Sequence, residues 1–322
     1  MSRWRAIVIG AVTGGALALA GCGSGQPGAS SQGPATPGGS AAPSSAGGAS
    51  SVAAVYLKSA EPVPFTGDTV TLTVQAAAGP GSSQWIRLGT ATVALGDGTT
   101  VTVTGHCGGA SLPPPSAGLL VRHVYRQPRV VSPQVTAAMP CGHAGAAAPA
   151  LAGASVSLRV LPAAAPDSAS WPQCAKSQLT INATGTGAGL GHVGVLFTLR
   201  NSSSTSCRLD GYPGLQLLGS SGQALPTTVV RAVTGAYLFP AVVPHRVSLP
   251  PGAVGSFDLQ YGDNPVGAAA SEPYATACPA ATQVEVTLPN ADDHAIVPAS
   301  MAPCGGQVLV SPVVPGAQWL AP

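Results

Sequence analysis

Charged and aromatic residues are scarce in this chain, and the few basic residues do not form a stripe. Asp, Glu, Lys and Arg make up 7% of the 322 residues and aromatics 4%, whereas charged residues are about 25% of a typical globular protein. Nucleic-acid binding favours clustered basic residues interleaved with aromatics. The nearest cluster contains Arg122, His123, Tyr125, Arg126 and Arg129. We interpret it as a solvated strand edge whose charge discourages edge-to-edge pairing, and we expect no nucleic-acid partner.

Sequence signatures of catalysis are also missing. The chain has no Gly-x-Ser-x-Gly elbow, no His-Glu-x-x-His, no phosphate-binding glycine loop and no EF-hand loop. Asp292 and Asp293 form an adjacent acidic pair, but neighbours on a strand face opposite sides, so a loop cap or a solvated turn is expected. We therefore expect a protein that is not an enzyme, with no catalytic residues, no cofactor and no bound metal.

Two alternatives depend on residues at the ends of predicted strands. His106 and Cys107, together with Cys141 and His143, supply two Cys and two His, a set that binds zinc. Cys107 is also a candidate nucleophile for a cell-wall enzyme, with His106 or His123 as its base. Both alternatives need reduced thiols. A disulfide flanked by exposed loop histidines is the simpler interpretation in an oxidising compartment.

The N-terminus has the pattern of an export signal. Two arginines precede an apolar run from Ala6 to Ala20, which is shorter than the about 20 residues of a permanent membrane span. The run ends in Leu19-Ala20-Gly21-Cys22, which resembles the lipobox of bacterial lipoproteins. The resemblance implies that residues 1–21 are a signal peptide and that Cys22 is lipidated. The mature chain would then be held at the extracytoplasmic face of the plasma membrane; the alternative is a plain secretory signal with an incidental cysteine.

Lipidation of Cys22 leaves an even number of the seven cysteines. Disulfides persist in exported proteins, so we expect three bridges in sequence order: Cys107–Cys141, Cys174–Cys207 and Cys278–Cys304. The first two cysteines have no other partner in the first predicted domain. Antiparallel pairing of two predicted strands would bring Cys174 and Cys207 together, but the connectivity between 174 and 304 stays open.

The composition divides the rest of the chain into a linker and two domains. Residues 22–51 are almost wholly Gly, Ser, Ala, Pro, Gln and Thr, and such a tract cannot bury enough surface to offset its ordering entropy. We predict a disordered linker there. Alternating runs joined by Gly- and Pro-rich turns follow, and they predict an all-β chain with two immunoglobulin-like antiparallel β-sandwich domains, at 52–165 and 166–322. The alternating run 155–160 is either the last strand of the first domain or a strand added across the boundary.

The first domain contains a strong hairpin signal. The alternating runs Thr90–Leu95 and Thr99–Val103 flank a Gly96-Asp97-Gly98 turn. This turn, followed by His123-Val124-Tyr125, resembles the PKD domain, an immunoglobulin-like sandwich, although the aromatic residues expected before the turn are replaced by Ala94 and Leu95. The resemblance implies an extracellular spacer or binding module without catalysis. Asp97 is predicted to accept local backbone hydrogen bonds in the turn.

The second domain carries spaced turns and cysteines. The segment 201–214 runs from an Asn-rich turn through Cys207 to Gly211-Tyr212-Pro213-Gly214, and a Pro251-Gly252 pair predicts a type II turn. With Cys174 before the first strand and Cys278 and Cys304 near the end, the pattern resembles the actinobacterial domain of unknown function numbered 4232, over about 171–316. The family is common in lipoproteins and implies a fold and a compartment but no activity. Tyr212 is expected to pack its ring on the sheet with its hydroxyl at a backbone partner.

Our working hypothesis is a non-catalytic interaction or structural module of the cell envelope, anchored to the membrane through Cys22, with an envelope protein or glycan as partner. The alternative is an extracytoplasmic carrier of a small ligand or lipid. The apolar stretch from Val229 to Val243, with Tyr237 and Phe239, has the composition of a pocket lining. It is also typical of a loop packed on the core. A large apolar cavity would favour the carrier, and a solid sandwich would favour the interaction module.

Overall fold

The computed structural model describes residues 53–108, 113–142, 151, 153–264 and 278–320. Within these ranges the chain is all-β, with twenty strands and four short 3-10 helices at Pro115–Ala117, Pro166–Ser170, Lys176–Gln178 and Cys304–Gly306. No helix of this described part is long and apolar enough to cross a membrane. The predicted signal peptide, the linker 22–51 and the lipidation of Cys22 lie outside the described residues.

The first half packs three small antiparallel sheets around one core. Its strands are β1 (Ala54–Ser59), β2 (Thr69–Ala77), β3 (Trp85–Ile86), β4 (Leu88–Ala94), β5 (Thr100–Thr104), β6 (Leu119–Val124), β7 (Arg129–Val131), β8 (Gln134–Pro140) and β9 (Leu158–Val160). One sheet has the order β1-β2-β3 with β6 also paired to β2, the second has the order β5-β4-β8, and β7 and β9 form the third. Alternate residues such as Val70, Leu72 and Val93 are buried between the sheets, as period-two patterning dictates.

Two features of this half refine the sequence predictions. The β4–β5 hairpin forms as predicted, with Gly96 and Gly98 at φ of 80° and 94°, a backbone region that L side chains rarely adopt. The predicted strand 130–137 divides into β7 and β8 at Pro133, which has no backbone N–H to donate to a ladder. β9 pairs with β7, so this last strand belongs to the first half.

The second half is a larger sandwich. Its strands are β10 (Leu179–Gly189), β11 (His192–Asn201), β12 (Cys207–Asp210), β13 (Gly214–Leu218), β14 (Thr228–Arg231), β15 (Arg246–Leu249), β16 (Val254–Gly262), β17 (Ala281–Thr287), β18 (His294–Met301), β19 (Gln307–Val310) and β20 (Val314–Pro315). The main sheet has the order β10-β11-β16-β19-β14 with β20 on β16, and the facing sheet has the order β13-β17-β18. β14 and β19 pair in parallel, an exception to the predicted antiparallel pattern.

β16 is buried on both faces. Its inward residues Phe257, Leu259 and Tyr261 enter the core of the second half, where Phe257 stacks on Phe197 with ring centroids 4.9 Å apart. Its other face carries Ser256, Asp258 and Gln260, which are also buried. That second face is covered by segments distant in sequence, and it is the part of the fold that positions the polar groups discussed below.

A third apolar cluster joins the two halves. This junction cluster consists of Val63, Phe65, Leu161, Ala232, Phe239, Val242, Val314 and Leu320. His245 of the second half stacks on Phe65 of the first at 4.0 Å and lies 3.4 Å from the Asp68 carboxylate. The described residues belong to one compact unit; the predicted domain limits, 52–165 and 166–322, stay predictions.

Candidate functional site

Three disulfides close loops in the described chain, and they are the pairs that the sequence predicts. Cys107 bonds Cys141, Cys174 bonds Cys207, and Cys278 bonds Cys304. The first bridge links the chain after β5 to the chain after β8 and crosses the intervening strand β4 at Gly89. The second is part of the core, since Cys174 and Cys207 are 2% and 0% exposed.

The first disulfide bears on both alternatives that need a free Cys107, the nucleophile of a cell-wall enzyme and the zinc ligand. A thiol in a disulfide cannot act as a nucleophile or as a thiolate ligand, so Cys107 supports neither a wall enzyme nor a zinc site while the bond stands. The His123 ring contacts the Asp97 carboxylate rather than Cys107. His143 falls outside the described residues, and the described residues contain no group of three or more His, Cys, Asp or Glu that could hold a metal ion.

Asp97 organises the turn of the first half. Its Oδ1 accepts a hydrogen bond from the Thr99 N–H at 3.0 Å, as predicted for a turn residue. Its Oδ2 lies 2.7 Å from His123 Nε2 on β6, a contact that the turn analysis did not foresee. Tyr125 contacts the His123 ring edge-on, and its hydroxyl donates to the Leu95 carbonyl at 2.9 Å. The cluster of basic and aromatic residues is therefore only partly a solvated edge: the arginines are exposed, whereas Tyr125 is buried.

The electrostatics of this turn are those of a structural site. Burial alone would raise the pKa of Asp97, but the hydrogen bonds from Thr99 and His123 outweigh it and lower the pKa below its ordinary value. Burial, with a smaller contribution from the Asp97 charge, raises the pKa of Tyr125 to about 12. Asp97 is thus ionised and Tyr125 neutral at physiological pH. In these forms Asp97 contacts His123 on β6 and the Tyr125 hydroxyl donates to the Leu95 carbonyl, so the turn stays attached to β6.

Tyr212 and the acidic pair give two agreements with the sequence predictions and one correction. The Tyr212 ring packs against the core as predicted, but its hydroxyl has no hydrogen-bond partner among the described residues. The prediction that this hydroxyl bonds a backbone group is therefore wrong. The Arg231 guanidinium carbon lies over the Tyr212 ring, 5.7 Å from its centroid. Asp293 accepts a hydrogen bond from the Lys176 backbone N–H, in keeping with the predicted loop-cap role.

The stretch from Val229 to Val243 is divided between the core and the surface. Phe239 and Val242 are buried in the junction cluster, whereas Val233 and Tyr237 are 66% and 55% exposed. Its apolar residues also line an open groove of about 310 Å³, together with Ala60, Glu61 and Tyr212. Both interpretations of this stretch thus hold in part, because it packs as a loop and borders an open groove.

A second surface feature lies at the start of β11. His192 stacks on the exposed Tyr237 ring with centroids 4.9 Å apart, and its Nδ1 lies 3.3 Å from Gln260 Nε2. The same histidine borders a shallow groove with Gln307 and Asn264. This face presents the His192 and Tyr237 rings beside side-chain amides that can donate and accept hydrogen bonds.

The polar row on β16 is the feature that sequence reasoning missed. The Asp258 side chain is fully buried. Its Oδ2 accepts a hydrogen bond from the Leu320 N–H at 2.8 Å, and its Oδ1 has no hydrogen-bond partner among the described residues. Burial raises the pKa of Asp258 to about 7, although the Leu320 N–H and the Arg159 charge act in the opposite direction. The alternation of polar and apolar residues along β16 indicates that Ser256, Asp258 and Gln260 share a face, but it does not indicate that this face is covered.

Fold and site together define a disulfide-stabilised double β-sandwich. Comparison with family models places a domain of unknown function, DUF4232, at residues 174–315, which agrees with the resemblance found in the second half. No curated protein matched the chain. The match covers the second sandwich from Cys174 to β20, so the family accounts for that sandwich and assigns no activity to it.

Proposed function

We propose that this protein is a lipid-anchored, non-catalytic interaction or structural module of the cell envelope. In this proposal Cys22 carries the lipid at the extracytoplasmic face of the plasma membrane, residues 22–51 connect it to the first sandwich, and the sandwiches contact an envelope protein or glycan. The observation that carries the proposal is the pairing of six cysteines into three disulfides. Such pairing is typical of an oxidising compartment and leaves Cys22 as the remaining cysteine of the seven.

The anchor is tested by labelling cells that express the full chain with an alkyne-bearing fatty acid. We expect label on the wild-type protein and none on C22S, because the acyl chains would be attached through that sulfur. The double variant C107S/C141S is the matched control and should keep the label. Label that persists on C22S contradicts the anchor.

In-cell crosslinking of the anchored protein then identifies the protein or glycan that it contacts.

We further propose that the first sandwich is a PKD-like spacer or binding module. The motif residues that suggested the resemblance contact one another: His123 lies on Asp97, and Tyr125 bonds the Leu95 carbonyl before the turn. These contacts show that the motif residues hold the turn on the neighbouring strand, which supports a module that displays or spaces surfaces.

A small-ligand or lipid carrier is the second candidate, and the open apolar groove favours it. The groove is lined by Val233, Val242 and Val243 beside Tyr212, and its volume of about 310 Å³ is near the lower limit for small-molecule pockets. A fluorescent fatty acid titrated into the full chain tests this function. Saturable binding that V233D abolishes and V130D retains would support the carrier, since Val130 is exposed in the other half; equal behaviour of both variants would exclude the groove.

A further inference from the structure

We propose that the C-terminal segment 314–320 is a pH-dependent latch, closed on the outer face of β16 through Asp258 and loosened as that carboxyl ionises. The latch would regulate how firmly the two sandwiches are joined. This inference does not depend on the lipid anchor or on the identity of a partner.

The latch is built on the row of alternate polar residues on β16. Ser256 Oγ accepts a hydrogen bond from the Gln318 N–H at 3.2 Å, and Asp258 Oδ2 accepts one from the Leu320 N–H at 2.8 Å. Two residues further, Gln260 Oε1 accepts a hydrogen bond from the Leu238 N–H at 2.6 Å. Each member of the row therefore binds the backbone of a segment that covers the strand, and two of the three bind the C-terminal segment.

The same segment reaches the first half. Leu320 is buried in the junction cluster with Phe65 and Leu161, and Gln318 Oε1 accepts a hydrogen bond from Arg159 at 3.4 Å. Trp319 lies against β11, where a Cβ at Gly194 would overlap its ring. Release of the segment would therefore remove contacts that join the two halves and would expose the polar row.

Asp258 is the titratable member of the row. Its neighbours on β16, Ser256 and Gln260, are uncharged. The charged or titratable groups on the elements beside or over the strand are Arg159 on β9, His192 and Arg200 on the paired strand β11, Arg246 on β15, and Tyr237 next to Leu238. Arg159 acts on the carboxyl by Coulomb attraction. At the junction between the two halves, the His245 ring lies 3.4 Å from the Asp68 carboxylate. None of these groups hydrogen-bonds Asp258 Oδ1, which is unpartnered within the described residues.

This arrangement makes the neutral acid the form that fits the closed state. An ionised carboxylate would be buried with one oxygen unpaired, which is costly in an apolar environment. The closed state raises the pKa of Asp258 to about 7, whereas an exposed Asp titrates near about 4. The opening constant of the segment should then rise about tenfold per pH unit between these limits and stay level above them.

Hydrogen exchange of the Leu320 amide in the full chain measures this opening. After correction for intrinsic exchange, we expect its protection to fall about tenfold per pH unit from about pH 4.5 to about pH 6.5 and to level off above about pH 7. The Leu95 amide, bonded to Thr99 in the other half, should keep its protection. Leu320 protection that is independent of pH, or an equal fall at Leu95, would overturn the latch.

D258N is the decisive variant, because an amide keeps the shape but cannot ionise. We expect Leu320 protection in D258N to be independent of pH, whereas D263N, an exposed aspartate just beyond β16, should titrate like the wild type. Retained pH dependence in D258N, or its loss in D263N, contradicts the proposal. If D258N does not fold, carbon NMR of the wild-type Asp258 carboxyl replaces it: titration below about pH 5 overturns the proposal.

Discussion

At the scale of single residues, Asp97 joins two strands through a turn. Its two carboxylate oxygens hold the Thr99 N–H and the His123 ring, so the residue connects the β4–β5 hairpin with β6 of the other sheet. Because Asp97 bonds both the turn and β6, it should stabilise the fold more than a residue that only caps a turn. Its side chain is mostly shielded from solvent, at 13% exposed.

We predict that D97N lowers the free energy of unfolding by about 1–3 kcal/mol at neutral pH, because a charge-assisted hydrogen bond is lost. The pKa of Asp97 is lowered in the fold, so its stabilisation is present above about pH 4 and is lost as pH falls through the folded pKa. Urea unfolding at neutral and acid pH measures both effects. D292N, at an exposed loop position, should change neither; a D97N protein as stable as the wild type would contradict this role.

Gly194 on β11 provides a second test at this scale. A Cβ there would overlap the Trp319 ring, so G194A should displace the C-terminal segment and cost about 1–3 kcal/mol. Gly79 has no atom within 4 Å of an added Cβ, and G79A should stay within about 0.5 kcal/mol of wild type. Thermal unfolding of both variants gives the comparison; equal stability of the two would mean that Trp319 does not rest on Gly194.

At the scale of elements, two disulfides allow a matched comparison. Cys107–Cys141 and Cys174–Cys207 span nearly equal separations, 34 and 33 residues, so the loop entropy removed from the unfolded chain is nearly the same. They differ in burial, because Cys107 is exposed and Cys207 is fully buried.

We predict that C107A/C141A lowers the free energy of unfolding by about 2–4 kcal/mol. C174A/C207A should cost more, because it also removes two buried sulfurs from the core and leaves a cavity. Denaturant unfolding under non-reducing conditions measures the difference. A smaller cost for the buried pair would show that loop entropy and burial do not account for these bridges.

Much of the element pattern was predictable from local sequence. Alternation and the Gly-Asp-Gly turn predicted the β4–β5 hairpin, and strand order predicted that Cys174 and Cys207 meet. Among the strands that were not predicted are the short β12 and β14 and the longer β18. In β18 the alternation is broken by Pro298 and by Ile296, an apolar residue that is 55% exposed.

The polar row on β16 shows why the rest could not be predicted. A strand that alternates Phe257, Asp258 and Leu259 is typical of a sheet with one solvated face. In the structure that face is covered by Leu238 and Leu320, which are distant in sequence. Periodicity reports which residues share a face, but not what tertiary contact covers it. The unpartnered Tyr212 hydroxyl and the Asp97–His123 contact were missed for the same reason.

At the scale of the whole molecule, the junction cluster couples the sandwiches. Phe65 contributes a fully buried ring from the first half and stacks on His245 of the second. Leu161, Phe239 and Leu320 complete an apolar contact that each half would otherwise expose. The two halves should therefore unfold together.

We predict a single calorimetric transition for the wild type. F65A should lower stability by about 3–5 kcal/mol through loss of a buried ring and should separate the unfolding into two transitions. F197A, in the core of the second half, should be similarly destabilised but keep one transition. Two transitions in the wild type would mean that the junction does not couple the halves.

The central claim is that an anchored, disulfide-closed double sandwich acts in the cell envelope, and intact mass spectrometry of the protein extracted from membranes tests it most directly. Under denaturing, non-reducing conditions, we predict a chain that begins at Cys22, carries acyl chains on that residue and has lost two hydrogens for each of the three disulfides. A chain that retains residues 1–21, an unmodified Cys22 or free thiols at the six paired cysteines would contradict the account.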